Sequence, residues 1–433
     1  MNTINEVKDN SMLYVSFNQD NSFFSVGTER GFRIYQTYPL TDPYERIMNG
    51  GIGIVEMLYN SNFLALMGGG RIPKFSKNKV IIWDDHENKV ISELKFTTSI
   101  MNIKLKKDLL IVVCQKRIYV FDFNTYETKD TIDTGDNKRE LIAINNSQEY
   151  TILAYPSLKG PKFISIQNYK TNKNFSFQAQ DDSVSKISMN NNGSLIASSN
   201  ENGTIIKIHS CNDGALLQEF KRGHEKAKIN YICFDNDTKL MAVSSSRGTI
   251  HIFSMGSTIK KLKEHEKRKE IEKEKEKEKK ENKKEEINNK EKNEEINEEI
   301  NEKEEIEEKN EIKNEKKNEE KIGEIKDDNK DNNDVNNEEI NNNNTINKNE
   351  EELPENTKTF LSGIFGSQIE KSFARVRIKS QDSICAFVNN NLLVIISSDN
   401  KYYLAEIDIK KGGDCKIVIE DYLIKNRNSF EII

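Results

Sequence analysis

The 433-residue chain has no run of the 18 to 20 apolar residues that a membrane-spanning helix needs. Its apolar run Leu392–Ile396 is only strand-length. The first ten residues, MNTINEVKDN, lack the apolar core of a secretory signal, so a cytoplasmic chain is expected. Cysteine is sparse: Cys114, Cys211, Cys233, Cys385 and Cys415 lie far apart without a CxxC pair. An odd, scattered set without a signal peptide predicts reduced thiols that fill the core. Only five histidines occur, none in HExxH or at zinc spacing from a cysteine, so no metal is expected. The Gly68–Gly70 run is not followed by GK[ST] and reads as a turn between strands. There is no GxSxG elbow, and Asp84-Asp85 reads as a strand end and turn. No cysteine stands in a basic loop, as the nucleophile of a phosphoinositide phosphatase would. These absences leave no catalytic residue and no cofactor, and they favour a binding module over an enzyme.

Charge is abundant but unevenly placed. Charged residues make up 31% and hydrophobic residues 35%, a polar average for a globular chain. Between Lys260 and Glu355, 24 basic residues face 35 acidic ones, a net of −11. Elsewhere 41 basic residues face 36 acidic ones, so the foldable part is mildly basic at +5. From about Ile259 to Glu355 there is no Phe, Tyr or Trp and a single glycine. Such a tract buries too little apolar surface to offset its ordering entropy. The sequence therefore predicts a disordered insertion over 259–355, dividing a folded region at 1–258 from another at 356–433. Its Glu-Lys alternation at Glu272–Lys280 allows a transient solvated helix, and its Asn-rich end reads as coil. A tolerated low-complexity loop is the plain reading of the tract, and a regulatory tail is the other.

Outside the insertion one pattern repeats every 38 to 48 residues, about the length of a propeller blade. A turn residue is followed by alternating β-branched and aromatic side chains: Gly31–Tyr35, Lys79–Trp83, Arg117–Phe121, Lys162–Ile166, Gly203–Ile208 and Gly248–Phe253. A seventh copy, Lys401–Ile407, falls into step once about 100 inserted residues are removed. A second strand precedes most copies, as at Leu109–Cys114, Leu195–Ser199 and Leu240–Ser245. Short strands without a sustained 3.6-residue period indicate an all-β chain. The expectation is a seven-bladed β-propeller with the charged insertion in its sixth blade.

Phe220-Lys221-Arg222-Gly223-His224 lies between the fifth and sixth copies. Side chains alternate along an extended segment, so Lys221 and Arg222 would point to opposite faces and serve two anion pockets. Ser198, Gly203 and Thr204 precede this segment, and Ser245, Thr249 and His251 follow it. Charged donors combined with neutral ones suit a phosphate group. Each residue alone has an ordinary reading, since a Lys-Arg pair is usually a solvated loop and His251 fits half-buried packing.

The run Phe220–Gly223 resembles the Phe-Arg-Arg-Gly signature of the PROPPIN (WIPI, Atg18-like) family of phosphoinositide-binding propellers. Similar text occurs at Phe17–Asp20, Asn62–Gly70, Asn78–Asp85, Ser245–Phe253, Ser372–Arg375 and Ile395–Asp399. The Asn78–Asp85 run points to the WDR45-like branch. The resemblance covers nearly everything outside the insertion and implies two headgroup sites, for phosphatidylinositol 3-phosphate and the 3,5-bisphosphate. By motif, Ser198, Gly203, Thr204, Lys207 and Lys221 would form the first site. Arg222, Ser245, Thr249 and His251 would form the second, with Gly223 closing the signature. Departures gather at the first site: Lys221 and Lys207 replace Arg, Asn200 replaces Ser, and Gln180 replaces His. Lysine lacks arginine's bidentate fork, so this site is expected to be the weaker or to have altered selectivity.

The resemblance also gives the sixth-blade insertion a membrane-inserting loop. The apolar residues Phe360, Leu361, Ile364 and Phe365 beside the acidic tract fit that role, each contributing ~1.5–3 kcal/mol if fully buried. Packing of this cluster on the propeller is the alternative. A net charge of −11 would be repelled by anionic lipid, so the tract either tunes docking or points away. The implied function is a scaffold for autophagosome formation, cytoplasmic and peripheral on phagophore or endosomal membranes. The implied protein partner is the large, Atg2-like autophagy lipid-transfer protein, gripped by the early blades at a surface including Asn18 and Asp20. A monomer without a nucleic-acid partner is expected. The rival reading is a WD-type protein scaffold that ignores lipid.

Overall fold

The computed structural model describes residues 12–319 and 369–424. Seven sheets follow one another along the chain, each with four antiparallel strands in order from the innermost outward, and those of the fifth and sixth blades gain a short fifth strand, paired parallel, at the outer edge. They are the seven blades, and each repeated turn-plus-strand motif supplies a third strand: Gly31–Gln36, Lys79–Asp84, Arg117–Asp122, Phe163–Asn168, Ile205–Ser210, Thr249–Ser254 and Lys401–Glu406. Leu109–Cys114, Leu195–Asn200 and Leu240–Ser245 are second strands.

Position within the blade explains composition. Second strands are covered on both faces by neighbouring blades, so Leu110, Ile111, Val112 and Val113 are all fully buried and the run is apolar throughout. Outer strands such as Thr128–Asp133 meet water and are mostly polar. Side-chain clamps recur at equivalent turns. Asp84, Asp122, Asn168 and Asp408 each accept two backbone N–H groups just past a third strand. Asn18, Asn190 and Asp235 each accept the N–H five residues ahead, closing the hairpin from the first to the second strand. These local bonds compete well with solvent and fix the register of short strands.

The ring closes by packing between blade one, at 12–47, and blade seven, at 383–422. Phe17, Phe24 and Tyr35 meet Tyr402, Leu404 and Leu423 in one core. Tyr35 Oη donates to Leu423 O at 2.7 Å and Tyr402 Oη to Thr37 O at 2.9 Å. Inside the ring, a cavity of about 330 Å³ is lined by Tyr14, Glu56, Lys104, Lys186 and Tyr231 among others. Buried Glu56 is matched there by Lys104, whose Nζ lies 3.1 Å from each carboxylate oxygen. The five cysteines are free thiols, and Cys114, Cys211 and Cys385 are buried as expected.

Blade six is interrupted between its third strand and Ala374–Arg377, its fourth. A helix, α1, runs over Gly256–Glu319, where the sequence predicts only a transient helix at Glu272–Lys280. Its Lys- and Glu-rich composition suits helix, and Lys269 pairs with Glu272 at 3.5 Å. The first turns of α1 belong to the propeller, since Leu262 is buried in the core shared by blades five and six. The chain divides accordingly into one unit of 1–262 with 367–433 and a second of 263–366. No described helix is long and apolar enough to cross a membrane. Phe360, Leu361, Ile364 and Phe365 lie outside the described residues.

Candidate functional site: two faces of the blade-five edge

Blade five ends in the outer strand Leu216–Lys221. Phe220 is fully buried, its ring 5.0 Å from that of Phe253 in the core between blades five and six. The alternation of side chains turns Lys221 to the other face, toward blade four. Ile205 pairs with Lys221, Lys207 with Glu219 and Ser198 with Lys207, which places Ser198, Lys207 and Lys221 on that one face. The sequence grouping of these three therefore corresponds to one patch.

This patch is not a bare cationic pocket. Lys207 Nζ sits 2.8 Å from Asp181 Oδ2 and 3.3 Å from Glu219 Oε1. Burial pulls the Lys207 ammonium's pKa down, but hydrogen bonds and charge from Asp181 and Glu219 outweigh it and hold the pKa above its ordinary value. Gln180 Nε2 donates to both the carbonyl and the hydroxyl of buried Ser198, at 2.9 Å each. Gly203 has φ +59, and an added Cβ would lie 2.0 Å from Ala227 O, so the tight turn requires glycine. Thr204 enters through its carbonyl, which accepts Arg222 N at 2.8 Å.

Arg222 is turned to the opposite side and is 6% exposed. Its Nε donates to Gly203 O at 2.6 Å and an Nη to Glu225 O. Part of its donor fork is thus spent on holding the loop. Burial and the neighbouring Arg247 lower its pKa. His251, on the third strand of blade six, has its Nδ1 3.2 Å from Ser372 Oγ. Arg375 pairs across the sheet with His251, and Arg377 with Thr249. Burial first, then Arg222, Arg375 and Arg377, push the imidazole down to about 4, so it is neutral at pH 7. Asp414 offsets part of this positive charge, its Oδ1 2.5 Å from Arg375 Nε and its Oδ2 3.4 Å from an Nη of the same guanidinium.

Ser245 is more constrained than its sequence assignment implies. Its buried hydroxyl donates to Thr249 O at 3.2 Å, as Thr28 does to Gly31 O and Ser397 to Lys401 O. It holds a repeated turn and so positions Thr249. At Gly223 an added Cβ would meet nothing within 4 Å, so packing does not demand glycine there. Asn18 is 4% exposed and bonded to Ser22, Tyr59 O and Asn60. Asn18 is therefore a hairpin clamp, and only Asp20 of the expected pair meets solvent. Asp181, Glu219, Arg375 and Arg377 were missed by sequence reasoning. Only Arg375-Val376-Arg377 carried a signal, an alternation that puts both guanidiniums on the His251 face. Among the described residues no cluster of three His, Cys, Asp or Glu side chains could hold a metal.

Fold and site together define a seven-bladed propeller with a cationic edge shared by its fifth and sixth blades. The sequence profile of the PROPPIN family matches residues 11–268, and the chain belongs to this family of β-propeller scaffolds. It is similar to the Arabidopsis thaliana "Autophagy-related protein 18e", 33% identical over 57% of this chain and 67% of that protein. The Schizosaccharomyces pombe "SVP1-like protein 2" is 36% identical over 59% of this chain and 72% of its own length. In solved structures the fold matches Kluyveromyces lactis Hsv2 at a TM-score of 0.63, with 17% identity over 96% of this chain and all of that one. It also matches, at a TM-score of 0.61 and 17% identity, a complex of KlAtg21 with the coiled coil of AgAtg16, covering 95% of this chain and 99% of that one.

Proposed function

We propose that this protein docks on membranes by binding phosphorylated inositol headgroups at two sites, one on each face of the blade-five edge. The observation that carries this reading is the divergence of Lys221 and Arg222, adjacent in sequence but turned toward blade four and blade six. The second site, with Arg222, Arg375 and Arg377 around neutral His251 and Asp414 paired with Arg375, is the more cationic. It takes the larger share of phosphatidylinositol 3-phosphate or 3,5-bisphosphate binding. The first site binds more weakly because Asp181 and Glu219 already neutralise Lys207.

Two weak sites held by one rigid propeller act together through effective concentration, and Phe360, Leu361, Ile364 and Phe365 would add an apolar anchor. The autophagy-related relatives support a role in autophagosome formation. The protein works as a cytoplasmic monomer, peripheral on phagophore or endosomal membranes. An Atg2-like lipid-transfer protein is the proposed partner, docking beside exposed Asp20. A coiled coil, such as the one AgAtg16 supplies in its complex with KlAtg21, is a second type of partner we propose.

Flotation with liposomes tests the reading, with and without phosphatidylinositol 3-phosphate, comparing the wild type with Lys221→Thr/Arg222→Thr. Lipid-dependent flotation of the wild type, lost in the double variant, is expected. A folded wild type that stays with the soluble fraction would leave a protein-interaction scaffold without a lipid role.

A further inference from the structure

The end of the insertion returns to the propeller at Glu370, Lys371 and Ser372, and each residue contacts a different part of it. Glu370 Oε1 accepts Ser257 Oγ at 2.6 Å, at the root of α1. Ser372 Oγ lies 3.2 Å from His251 Nδ1, at the second site. Lys371 lies between them. Glu370–Lys371 forms a fifth strand on blade five, parallel to Leu216–Lys221, with Phe220 opposite Glu370 and Lys221 opposite Lys371.

Register partners on neighbouring strands project to the same face, and their backbones lie about 4.8 Å apart. Lys371 and Lys221 therefore present two ammonium groups side by side on the face that carries Ser198 and Lys207. Like charges directly opposite each other destabilise a sheet. Among the described residues neither lysine forms an ion pair. Without Lys371, Lys207 and Lys221 are balanced by Asp181 and Glu219, and the patch has no net attraction for an anion. Lys371 tips that balance to positive, and a phosphate between the two ammonium groups removes their repulsion.

We propose that Lys371 is a third cation of the first headgroup site, supplied by the returning end of the insertion and sharing one phosphate group with Lys221. This rests on the two-site lipid reading above and deepens it. It also restores, with a second lysine, part of what the arginine-to-lysine changes at 207 and 221 remove. Because Glu370 is tied to Ser257, Lys371 is anchored at the point where α1 leaves the propeller.

The test uses the full chain and phosphatidylcholine vesicles with or without phosphatidylinositol 3-phosphate, at about 0.15 M salt. Lys371→Ser should weaken lipid-dependent binding about two- to fivefold, the range of an exposed charge pair. Lys371→Arg should restore it, which a merely structural role for the strand would not require. In the Lys221→Ser/Lys371→Ser double variant the loss should be smaller than the product of the two single losses, since both act on one phosphate. Wild-type binding by Lys371→Ser, while Lys221→Ser is weakened, would overturn the assignment and leave the two-site reading intact. Losses that multiply independently would overturn the shared phosphate. Failure of the wild type to bind any of these vesicles would remove the lipid reading itself, and the assignment with it.

Discussion

Lys207 and Asp181 form an ion pair at 2.8 Å in which the lysine side chain is 11% exposed and the aspartate 79%. The carboxylate thus sits at the mouth of the first site, where an incoming phosphate must displace it or be repelled. Asp181→Asn removes the competing charge and keeps a polar side chain. Affinity for vesicles bearing phosphatidylinositol 3-phosphate should rise about two- to fivefold, in keeping with an exposed pair worth 0.2–1 kcal/mol. Surface plasmon resonance on immobilised vesicles measures this. Weaker binding would mean that Asp181 supports the site instead of competing for it.

His251 makes the second site sensitive to pH, with a definite sign. In the unfolded chain a histidine takes up a proton near pH 6.5, whereas in the fold His251 resists it to about 4. Between these values the unfolded state binds more protons, so the stability of the free protein is level above 6.5 and falls as pH drops toward 4. Asp414 already pairs with Arg375, and a bound phosphate further offsets Arg222, Arg375 and Arg377 and raises the imidazole's affinity for a proton. Headgroup binding should therefore gain from acidification below about pH 6.5 relative to His251→Gln, a comparison that cancels the phosphate's own titration. Proton NMR of the imidazole, with and without soluble inositol 1,3-bisphosphate, should show its midpoint moving up. An unmoved midpoint would place the phosphate away from His251.

Phe220 separates the two sites by packing. It is fully buried against Phe253, and this burial sets the phase of the strand so that Lys221 and Arg222 diverge. Phe220→Ala should cost ~3–5 kcal/mol in unfolding free energy, as for other large-to-small core changes. Urea denaturation measures it. A cost below about 1 kcal/mol would mean that the seam repacks and does not fix the strand.

How much of this was legible in the sequence follows from the range of each interaction. Third strands such as Gly203–Ile208 and Gly248–Phe253 announce themselves because alternation and a preceding turn are local requirements. The divergence of Lys221 and Arg222 was readable for the same reason. Arg375 and Arg377 were not assigned to the site because they reach His251 only across a strand pair that the insertion separates in sequence. The carboxylates of Asp181 and Glu219 were missed because charge compensation at Lys207 depends on the loop from blade four and on cross-strand register. Asn18 shows the converse error: a polar residue in a family-like run reads as surface until its hairpin bonds are seen. Leu262, in a tract dominated by Lys and Glu, gave no sign that it closes the core between blades five and six.

Binding to a headgroup and retention on a membrane are separable, and the apolar residues Phe360, Leu361, Ile364 and Phe365 test that separation. The proposed headgroup sites would sense phosphate whether or not a bilayer carries it, whereas apolar side chains gain free energy only by leaving water for the acyl region. Replacing all four with Ser should leave the affinity for soluble inositol 1,3-bisphosphate unchanged, as expected if the two proposed sites alone hold the headgroup. Vesicle retention should fall at least about tenfold, since even one fully inserted side chain is worth ~1.5–3 kcal/mol. Isothermal titration with the soluble headgroup, run beside vesicle flotation, reads the two quantities independently. Equal loss in both would make the cluster a structural part of the propeller. Loss in neither would leave the two headgroup sites to hold the membrane alone, through the effective concentration that one rigid propeller gives them.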